Sequence, residues 1–165
     1  DGVPPLLTLG AQVKIGSLAG ERRMPLSEFI QGSRKTALKP GEIVIGIFIT
    51  TNSTSGVSSF LKLGARKYLV ISISMVAARI HVIDGRISDA ALAVGSCSQV
   101  AQRLSALESL LVGREANRDI AKIIKQEHFA SLAPIDDVRA TKNYRMHAAK
   151  EMVERVLFQT LDTMI

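Results

Sequence analysis

The amino-acid sequence predicts an α+β fold, and three observations lead to that class. Short strand patterns come first, a long hairpin pattern follows, and helical patterns fill the C-terminal third. Strands and helices that are segregated along a chain favour α+β over the alternating order of a parallel βαβ sheet. Of the 165 residues, 47% are hydrophobic, which is enough for the core of one domain or of a small domain plus part of a second.

The first 50 residues contain only short elements. Residues 4–10 predict a helical turn that ends at its glycine. Residues 12–15 alternate polar and apolar side chains, which predicts a half-buried strand, and the turn at 19–21 leads through two arginines into a second short strand. Residues 25–30 predict a capped helical turn. Residues 43–49 follow a Pro-Gly turn and predict the clearest buried strand of the chain.

A polar stretch of small residues, 50–56, separates this region from the rest of the chain. It contains no side chain that would join a core, only Thr, Asn, Ser and Gly. Such composition is typical of a domain boundary. We therefore expect one domain part over 1–52 and a second domain over 53–165.

The second region predicts antiparallel strands followed by helices. Residues 59–63 predict a short strand. Asp84-Gly85 lies between β-branched runs, which is a strong signal for a two-residue hairpin joining strands 71–83 and 86–96. Thr141 is a good N-cap for the last helix. Helices are predicted at about 99–112, 116–127 and 142–162, and on the last one Tyr144, Ala148, Met152, Arg155 and Leu157 are expected to share a face.

The net charge and the cysteine content limit the kinds of partner and of cofactor site that this chain can have. The formal net charge is +6, which would suit nucleic acid, an anionic cofactor or an acidic partner. Aromatic residues make up 4% of the chain and Trp is absent, so stacking platforms for single strands are scarce. The one cysteine, Cys97, excludes an intrachain disulfide and a cysteine-built cluster, and it fits a reducing, cytoplasmic setting. No apolar run is long enough to predict a membrane span.

No self-contained catalytic motif is present. The histidines lack the spacing of zinc ligands, and nucleophile-elbow, Walker and dinucleotide-binding patterns are absent. We therefore predict no catalytic residue and no metal site. The N-terminus carries neither a basic signal region nor an initiator Met, so we expect a fragment or a processed chain.

Several short segments instead follow one another in a fixed order. Each is weak evidence alone, but together they extend over nearly the whole chain. They are Asp1-x-x-Pro4 before Leu6-Leu7-x-Leu9-Gly10-Ala11; Thr36-x-Leu38-x-Pro40-Gly41-Glu42-Ile43; Phe60-x-Lys62-x-Gly64-x-Arg66; Ile71-Ser72; and Pro134-Ile135-x-Asp137-x-Arg139-Ala140 followed by Tyr144-Arg145.

In this order the segments resemble the FAD-binding (medium) subunit of molybdenum hydroxylases of the xanthine dehydrogenase and carbon monoxide dehydrogenase family. The resemblance implies the end of an FAD-binding α+β domain, followed by a small C-terminal domain of antiparallel strands packed with helices. The family's pyrophosphate-binding glycine motifs have no counterpart here. The chain alone is therefore expected to bind FAD poorly or not at all.

The resemblance also implies three cofactor-binding residues. Asp1 matches an acidic residue that accepts hydrogen bonds from the ribityl or adjacent hydroxyls, and Val44 matches an apolar and main-chain contact to the flavin ring. Lys62 matches a lysine beside the isoalloxazine, where a cation favours the anionic reduced flavin. Arg66 and Lys67 would extend its positive field. By pattern alone, Asp1 would be a helix cap, Val44 a core residue and Lys62 a solvated side chain.

The function that the resemblance implies is electron transfer inside a heteromeric oxidoreductase. Electrons would pass from a molybdenum cofactor on a large subunit, through [2Fe-2S] clusters on a small subunit, to FAD and then to NAD or oxygen. Neither nucleic acid nor a membrane is an expected partner in this interpretation. The alternatives are a non-catalytic basic module that binds nucleic acid or an acidic protein, and a remnant that only mediates assembly.

Overall fold

A computed structural model of the chain describes residues 1–163, except the side chain of residue 121. It confirms the α+β class, with antiparallel sheets and helices in the predicted order. The helices are α1 (Val3–Thr8), α2 (Leu26–Phe29), α3 (Ser105–Leu111) and α4 (Lys142–Asp162), and 3₁₀ turns span Thr51–Thr54, Arg118–Ile123 and Gln126–Phe129. The strands are β1 (Gln12–Ser17), β2 (Gly20–Pro25), β3 (Ile30–Gly32), β4 (Lys35–Thr36), β5 (Ile43–Phe48), β6 (Val57–Gly64), β7 (Ser72–Ile83), β8 (Arg86–Gly95) and β9 (Gln102–Arg103).

A three-stranded antiparallel sheet in the order β2-β1-β5 forms the first part of the molecule. Val13 and Ile15 of β1 are buried in a small core with Leu7, Leu26 and Phe29. The prediction of strand 43–49 was right about the strand and wrong about its burial. Most of β5 is exposed, because β5 lies at the edge of this sheet and pairs with β1 in the described part of the chain.

The second part is a four-stranded antiparallel sheet in the order β6-β7-β8-β9. Asp84 and Gly85 have φ angles of 50° and 74°, the geometry of a type I′ turn, whose twist matches that of two antiparallel strands. Ile83 pairs with Arg86 across the turn. The two-residue hairpin is therefore confirmed.

The central strand β7 is buried on both faces over most of its length. Val76, Ala78 and Ile80 face the main core with α4, whereas Arg79 points to the other side and reaches Thr8 of α1. Double coverage accounts for the four consecutive apolar residues Met75–Ala78, which do not alternate with polar ones. It also makes this strand the scaffold that positions α1 relative to α4.

Two of the three predicted C-terminal helices needed correction. Residues 99–104 are not helical, because Gln102 and Arg103 pair with β8 as a short strand and α3 begins only at Ser105. The segment 116–127 consists of 3₁₀ turns, interrupted by the extended Lys125. Its backbone N–H groups at 119 and 125 are satisfied by nearby side chains, which favours separate turns over a continuous helix. The last helix and its Thr141 cap are confirmed.

Candidate functional site

Asp1, Lys62 and Ser72 form a polar cluster at the end of the four-stranded sheet where β7 begins. Lys62 Nζ and Asp1 Oδ2 form an ion pair, and Ser72 Oγ donates a hydrogen bond of 2.8 Å to Asp1 Oδ1. Ser72 is buried, whereas 28% of the Lys62 side chain and 48% of the Asp1 side chain remain exposed. The cluster thus presents a cation at the surface while one of its anchors lies inside the fold.

The packing of α1 brings Asp1 to this position, although it is 61 residues away from Lys62 in sequence. Leu7 of α1 shares a core with Ala93 of β8. Pro4 lies so close to β8 that a Cβ atom at Gly95 would be 2.9 Å from Pro4 Cγ. The glycine therefore permits the close approach that places the start of α1 over the sheet.

Val44, the third residue implied by the resemblance, lies in the other sheet. It pairs with Ile15 on β5 and is 44% exposed, next to the exposed Ile43 and Ile45. The structure places Asp1 and Lys62 together, and Val44 apart from them on an exposed apolar strand. Such a strand offers the kind of surface on which a flat, largely apolar ring system can pack.

A buried arginine anchors the backbone beside the cluster. Arg145 Nη1 donates hydrogen bonds to the carbonyl oxygens of Ile73 (2.6 Å) and Ser96 (3.1 Å), and its Nη2 donates to Asp137 Oδ1 at 2.7 Å. The backbone N–H of Arg139 and the guanidinium of Arg145 hold the pKa of Asp137 well below its ordinary value. The guanidinium of Arg145 therefore ties α4 to the start of β7 and to the end of β8, and its ion pair ties α4 to the segment that carries Asp137.

Ser72 and Arg145 belong to the segments that carry the resemblance, but no role is predicted for either residue from the sequence. Tyr144, Ala148, Met152 and Arg155 line one pocket, in agreement with the predicted shared face. Tyr144 is nevertheless 52% exposed, and the buried side chain at the start of α4 is that of Arg145. The signal was available: Arg145 precedes Ala149 and Met152 at helical spacing. A charged residue on a buried face requires a partner, and the partly exposed Asp137 provides one.

Two pockets flank the cluster. One, of about 420 Å³, lies between β6 and α4 and is lined by Lys62, Tyr144, His147 and Met152 among others. The second, of about 700 Å³, includes Ser72 and the Asp137–Arg145 pair in its lining. Space for a ligand is therefore available on both sides of the Asp1–Lys62 ion pair.

The described residues fit the ring side of FAD better than its pyrophosphate side. Phosphate groups bind well at helix N-termini whose backbone N–H groups are free. Pro4 and Pro5 remove N–H groups from the first turn of α1. At the start of α4, the N–H groups of Lys142 and Tyr144 are taken by Asp136 and Thr141. A cation on Lys62 and an exposed apolar strand are, by contrast, suitable contacts for an isoalloxazine ring.

Basic side chains of the first sheet are engaged in contacts within the fold. Arg22 pairs with Glu42, while the guanidinium of Arg23 lies 4.1 Å from the centre of the Phe48 ring. Among the described residues, no group of three or more His, Cys, Asp or Glu side chains is arranged to hold a metal ion. None of the described helices combines the length and the apolar character needed to cross a membrane.

Known proteins with similar sequences include subunits of a hydroxylase and of a dehydrogenase. The chain is 27% identical over 155 residues to the nicotine 6-hydroxylase medium subunit of Paenarthrobacter nicotinovorans, a match that covers 93% of this chain and 53% of that protein. It is 25% identical over 162 residues to the xanthine dehydrogenase FAD-binding subunit of Escherichia coli O157:H7, covering 98% and 56%. The chain thus spans about half the length of these relatives.

Solved structures share the fold. Quinoline 2-oxidoreductase from Pseudomonas putida 86 matches with a TM-score of 0.88 at 24% identity, over 99% of this chain and 56% of that chain. Reconstituted CO dehydrogenase from Oligotropha carboxidovorans matches with a TM-score of 0.86 at 23% identity, over 96% and 56%.

Two family models divide the chain between them. Residues 1–51 match the FAD binding domain in molybdopterin dehydrogenase, and residues 59–160 match the CO dehydrogenase flavoprotein C-terminal domain. The second match alone covers more than half of the 165 residues. The chain therefore belongs to the CO dehydrogenase flavoprotein C-terminal domain family, and its first 51 residues match the FAD binding domain in molybdopterin dehydrogenase.

Proposed function

We propose that this chain forms the ring side of the flavin site in the FAD-containing electron-transfer subunit of a molybdenum hydroxylase. The observation that carries the proposal is the Lys62–Asp1 ion pair, held at the junction of the two family-matched regions with the lysine at the surface. The names of two relatives, an FAD-binding subunit and a medium subunit, support the same assignment.

The proposed reaction sequence places this subunit late in the electron path. Electrons from a molybdenum centre on a large subunit pass through [2Fe-2S] clusters on a small subunit to FAD, and then to NAD or oxygen. We also propose the domain boundary near residues 52–53 and a cytoplasmic location. The gap between the two family matches, residues 52–58, supports the boundary, and the buried, unpaired thiol of Cys97 is compatible with a reducing compartment.

The bound flavin would supply the two-electron chemistry, and the chain would control its electrostatics. Lys62 places a positive charge where negative charge develops on the reduced ring, which stabilises the reduced state and raises the reduction potential. Asp1 fixes the ammonium group and thereby limits the number of positions that it samples. The exposed apolar side chain of Val44 on β5 would add an apolar contact to the ring.

The replacement Lys62→Met tests this proposal in the full-length subunit, expressed from its complete reading frame. Methionine keeps the approximate length of the side chain and removes its charge. A charge interaction of about 1–4 kcal/mol at 4 Å corresponds to roughly 20–90 mV for a two-electron couple. We therefore expect the flavin midpoint potential, measured by spectroelectrochemical titration, to fall by tens of millivolts.

Lys122→Met is the matched control. Lys122 is also ion-paired, to Asp119 at 2.6 Å, but it lines a pocket with Arg86 near the hairpin end of the sheet. Its removal should leave the potential unchanged. A subunit that binds no FAD, or a Lys62→Met potential equal to that of both the control and the wild type, would show that the proposed function is wrong.

A further inference from the structure

We infer that Ser72 is a positioning residue for the flavin-side lysine, acting through both oxygens of Asp1. The inference rests on the proposed function, because it explains how Lys62 is held where the flavin ring would bind. Ser72 itself contacts no proposed part of the cofactor. It affects Lys62 only indirectly, because it hydrogen-bonds to the Asp1 carboxylate that pairs with Lys62.

The geometry divides the Asp1 carboxylate between two partners. Oδ1 accepts the hydrogen bond from Ser72 Oγ at 2.8 Å, and Oδ2 pairs with Lys62 Nζ. A hydrogen bond to an ionised oxygen is stronger than one between neutral groups. With one oxygen fixed by a buried hydroxyl, the rotation of the carboxylate is restricted and the position of the other oxygen is defined.

The buried hydroxyl of Ser72 is more rigidly held than the side chains of Asp1 and Lys62, which it positions. Ser72 is 3% exposed, while the Asp1 side chain is 48% exposed. A surface ion pair between exposed side chains samples many geometries and contributes little. The buried hydroxyl is therefore the fixed point from which an otherwise exposed ion pair is oriented.

The backbone around Ser72 is fixed independently of the ion pair. The next carbonyl group, that of Ile73, accepts the 2.6 Å hydrogen bond from the buried Arg145. On the other side, Ser72 pairs with Gly64 at a register shift between β6 and β7, only two residues beyond Lys62. The strand that carries the hydroxyl and the strand that carries the lysine are thus joined at the cluster.

A group that hydrogen-bonds to a functional side chain fixes the orientation of that side chain and so changes its chemical properties. Outer-shell partners of metal ligands act in this way. The same logic here makes the charge of Lys62 effective only where Ser72 and Asp1 hold it. Loss of the hydroxyl spreads the ammonium group over several positions, so its average stabilisation of the reduced flavin decreases.

The test compares Ser72→Ala with Ser74→Ala in the flavin-loaded full-length subunit. Ser74 is two residues further along β7 and is fully buried, but its hydroxyl interacts with Cys97 Sγ at 3.4 Å rather than with Asp1. Both variants lose one buried hydroxyl, so general effects on folding are matched. We expect Ser72→Ala to lower the flavin midpoint potential in the same direction as Lys62→Met and by a smaller amount, and Ser74→Ala to leave it unchanged.

A double-mutant cycle separates positioning from a merely structural role. In the Lys62→Met background, Ser72→Ala should cause no further change of potential, because the group that it positions has been removed. Equal potentials for Ser72→Ala and Ser74→Ala, or an unchanged effect of Ser72→Ala without Lys62, would overturn the inference. If Lys62→Met itself leaves the potential unchanged, the proposed function fails, and the role of Ser72 fails with it.

Discussion

Arg22 and Lys62 illustrate two uses of a basic side chain in this molecule. Arg22 donates to both oxygens of Glu42, at 2.8 and 2.7 Å, and also to the carbonyl oxygen of Ala37 at 2.9 Å. Such a fork-shaped pair is a fixed structural contact. Lys62 has one carboxylate partner, which is about half exposed. Arg22 is therefore a structural clamp between β2 and the turn before β5. The side chain of Lys62 is partly exposed, and its ammonium group can interact with a ligand.

The clamp predicts a specific loss of stability in acid. The Arg22 guanidinium and the backbone N–H of Lys39 lower the pKa of Glu42 from 4.5 to about 2. A carboxyl group whose pKa is lowered in the folded state stabilises the fold above its unfolded pKa, and the contribution disappears as the pH falls through the folded pKa. Glu42→Gln should therefore be less stable than the wild type at neutral pH. The difference should shrink between pH 4.5 and about 2.

Urea unfolding at a series of pH values between 7 and 2 measures this difference. Glu21→Gln is the control, because Glu21 forms its ion pair with Lys14 at an exposed position of the same sheet. It should change the unfolding free energy less than Glu42→Gln does. Parallel pH profiles for the wild type and Glu42→Gln would contradict the assignment of the clamp.

At the scale of elements, the long periodic segments were predictable and the short ones were less so. The hairpin of β7 and β8 and the helix α4 follow from local turn chemistry and capping. The exposure of β5 could not be predicted, because an apolar run is the same in sequence whether or not another element covers it. Residues 116–127 contain helical spacing, but local side-chain contacts divide them into 3₁₀ turns.

The entry into β6 depends on a glycine, Gly56, that the sequence marked only as part of a linker. Its φ angle is +97°, and a Cβ atom there would be 2.3 Å from the carbonyl oxygen of Ile80. Gly56→Ala should therefore destabilise the fold by about 2 kcal/mol or more, from backbone strain and from separation of β6 and β7. The free energy of unfolding in urea measures this loss.

Gly46→Ala provides the comparison for this element. A Cβ atom at Gly46 meets nothing within 4 Å, and Gly46 has no positive φ angle. Its unfolding free energy should stay within about 1 kcal/mol of the wild type. If Gly56→Ala were as stable as Gly46→Ala, the close approach of the linker to β7 would not exist in solution.

For the molecule as a whole, a buried arginine joins the two family-matched regions. Arg79 of β7 donates hydrogen bonds to the carbonyl oxygens of Thr8 and Ser55 at 3.1 and 3.0 Å, and it pairs with Asp89 at 2.6 Å. It therefore holds α1, the linker and the sheet in one arrangement. That arrangement places Asp1 beside Lys62, because the start of α1 is fixed relative to β6.

The candidate site was predictable in its residues but not in its internal contacts. Matching short segments to a family indicated Asp1 and Lys62, yet it could not reveal that they pair with each other. Asp1 is separated in sequence from Lys62 by 61 residues and from Ser72 by 71 residues. Contacts at such distances depend on how α1 packs across the sheet, and no local pattern records that packing.

We propose that the isoalloxazine ring binds beside Lys62, which Asp1 and Ser72 hold in place. A crystal structure of the flavin-loaded full-length subunit tests it most directly. We expect the ring next to the Asp1–Lys62–Ser72 cluster, with Lys62 Nζ within about 4–6 Å of the ring, the range over which a charge strongly affects a neighbouring group. A flavin bound elsewhere, with the Lys62–Asp1 pair facing only solvent, would contradict it.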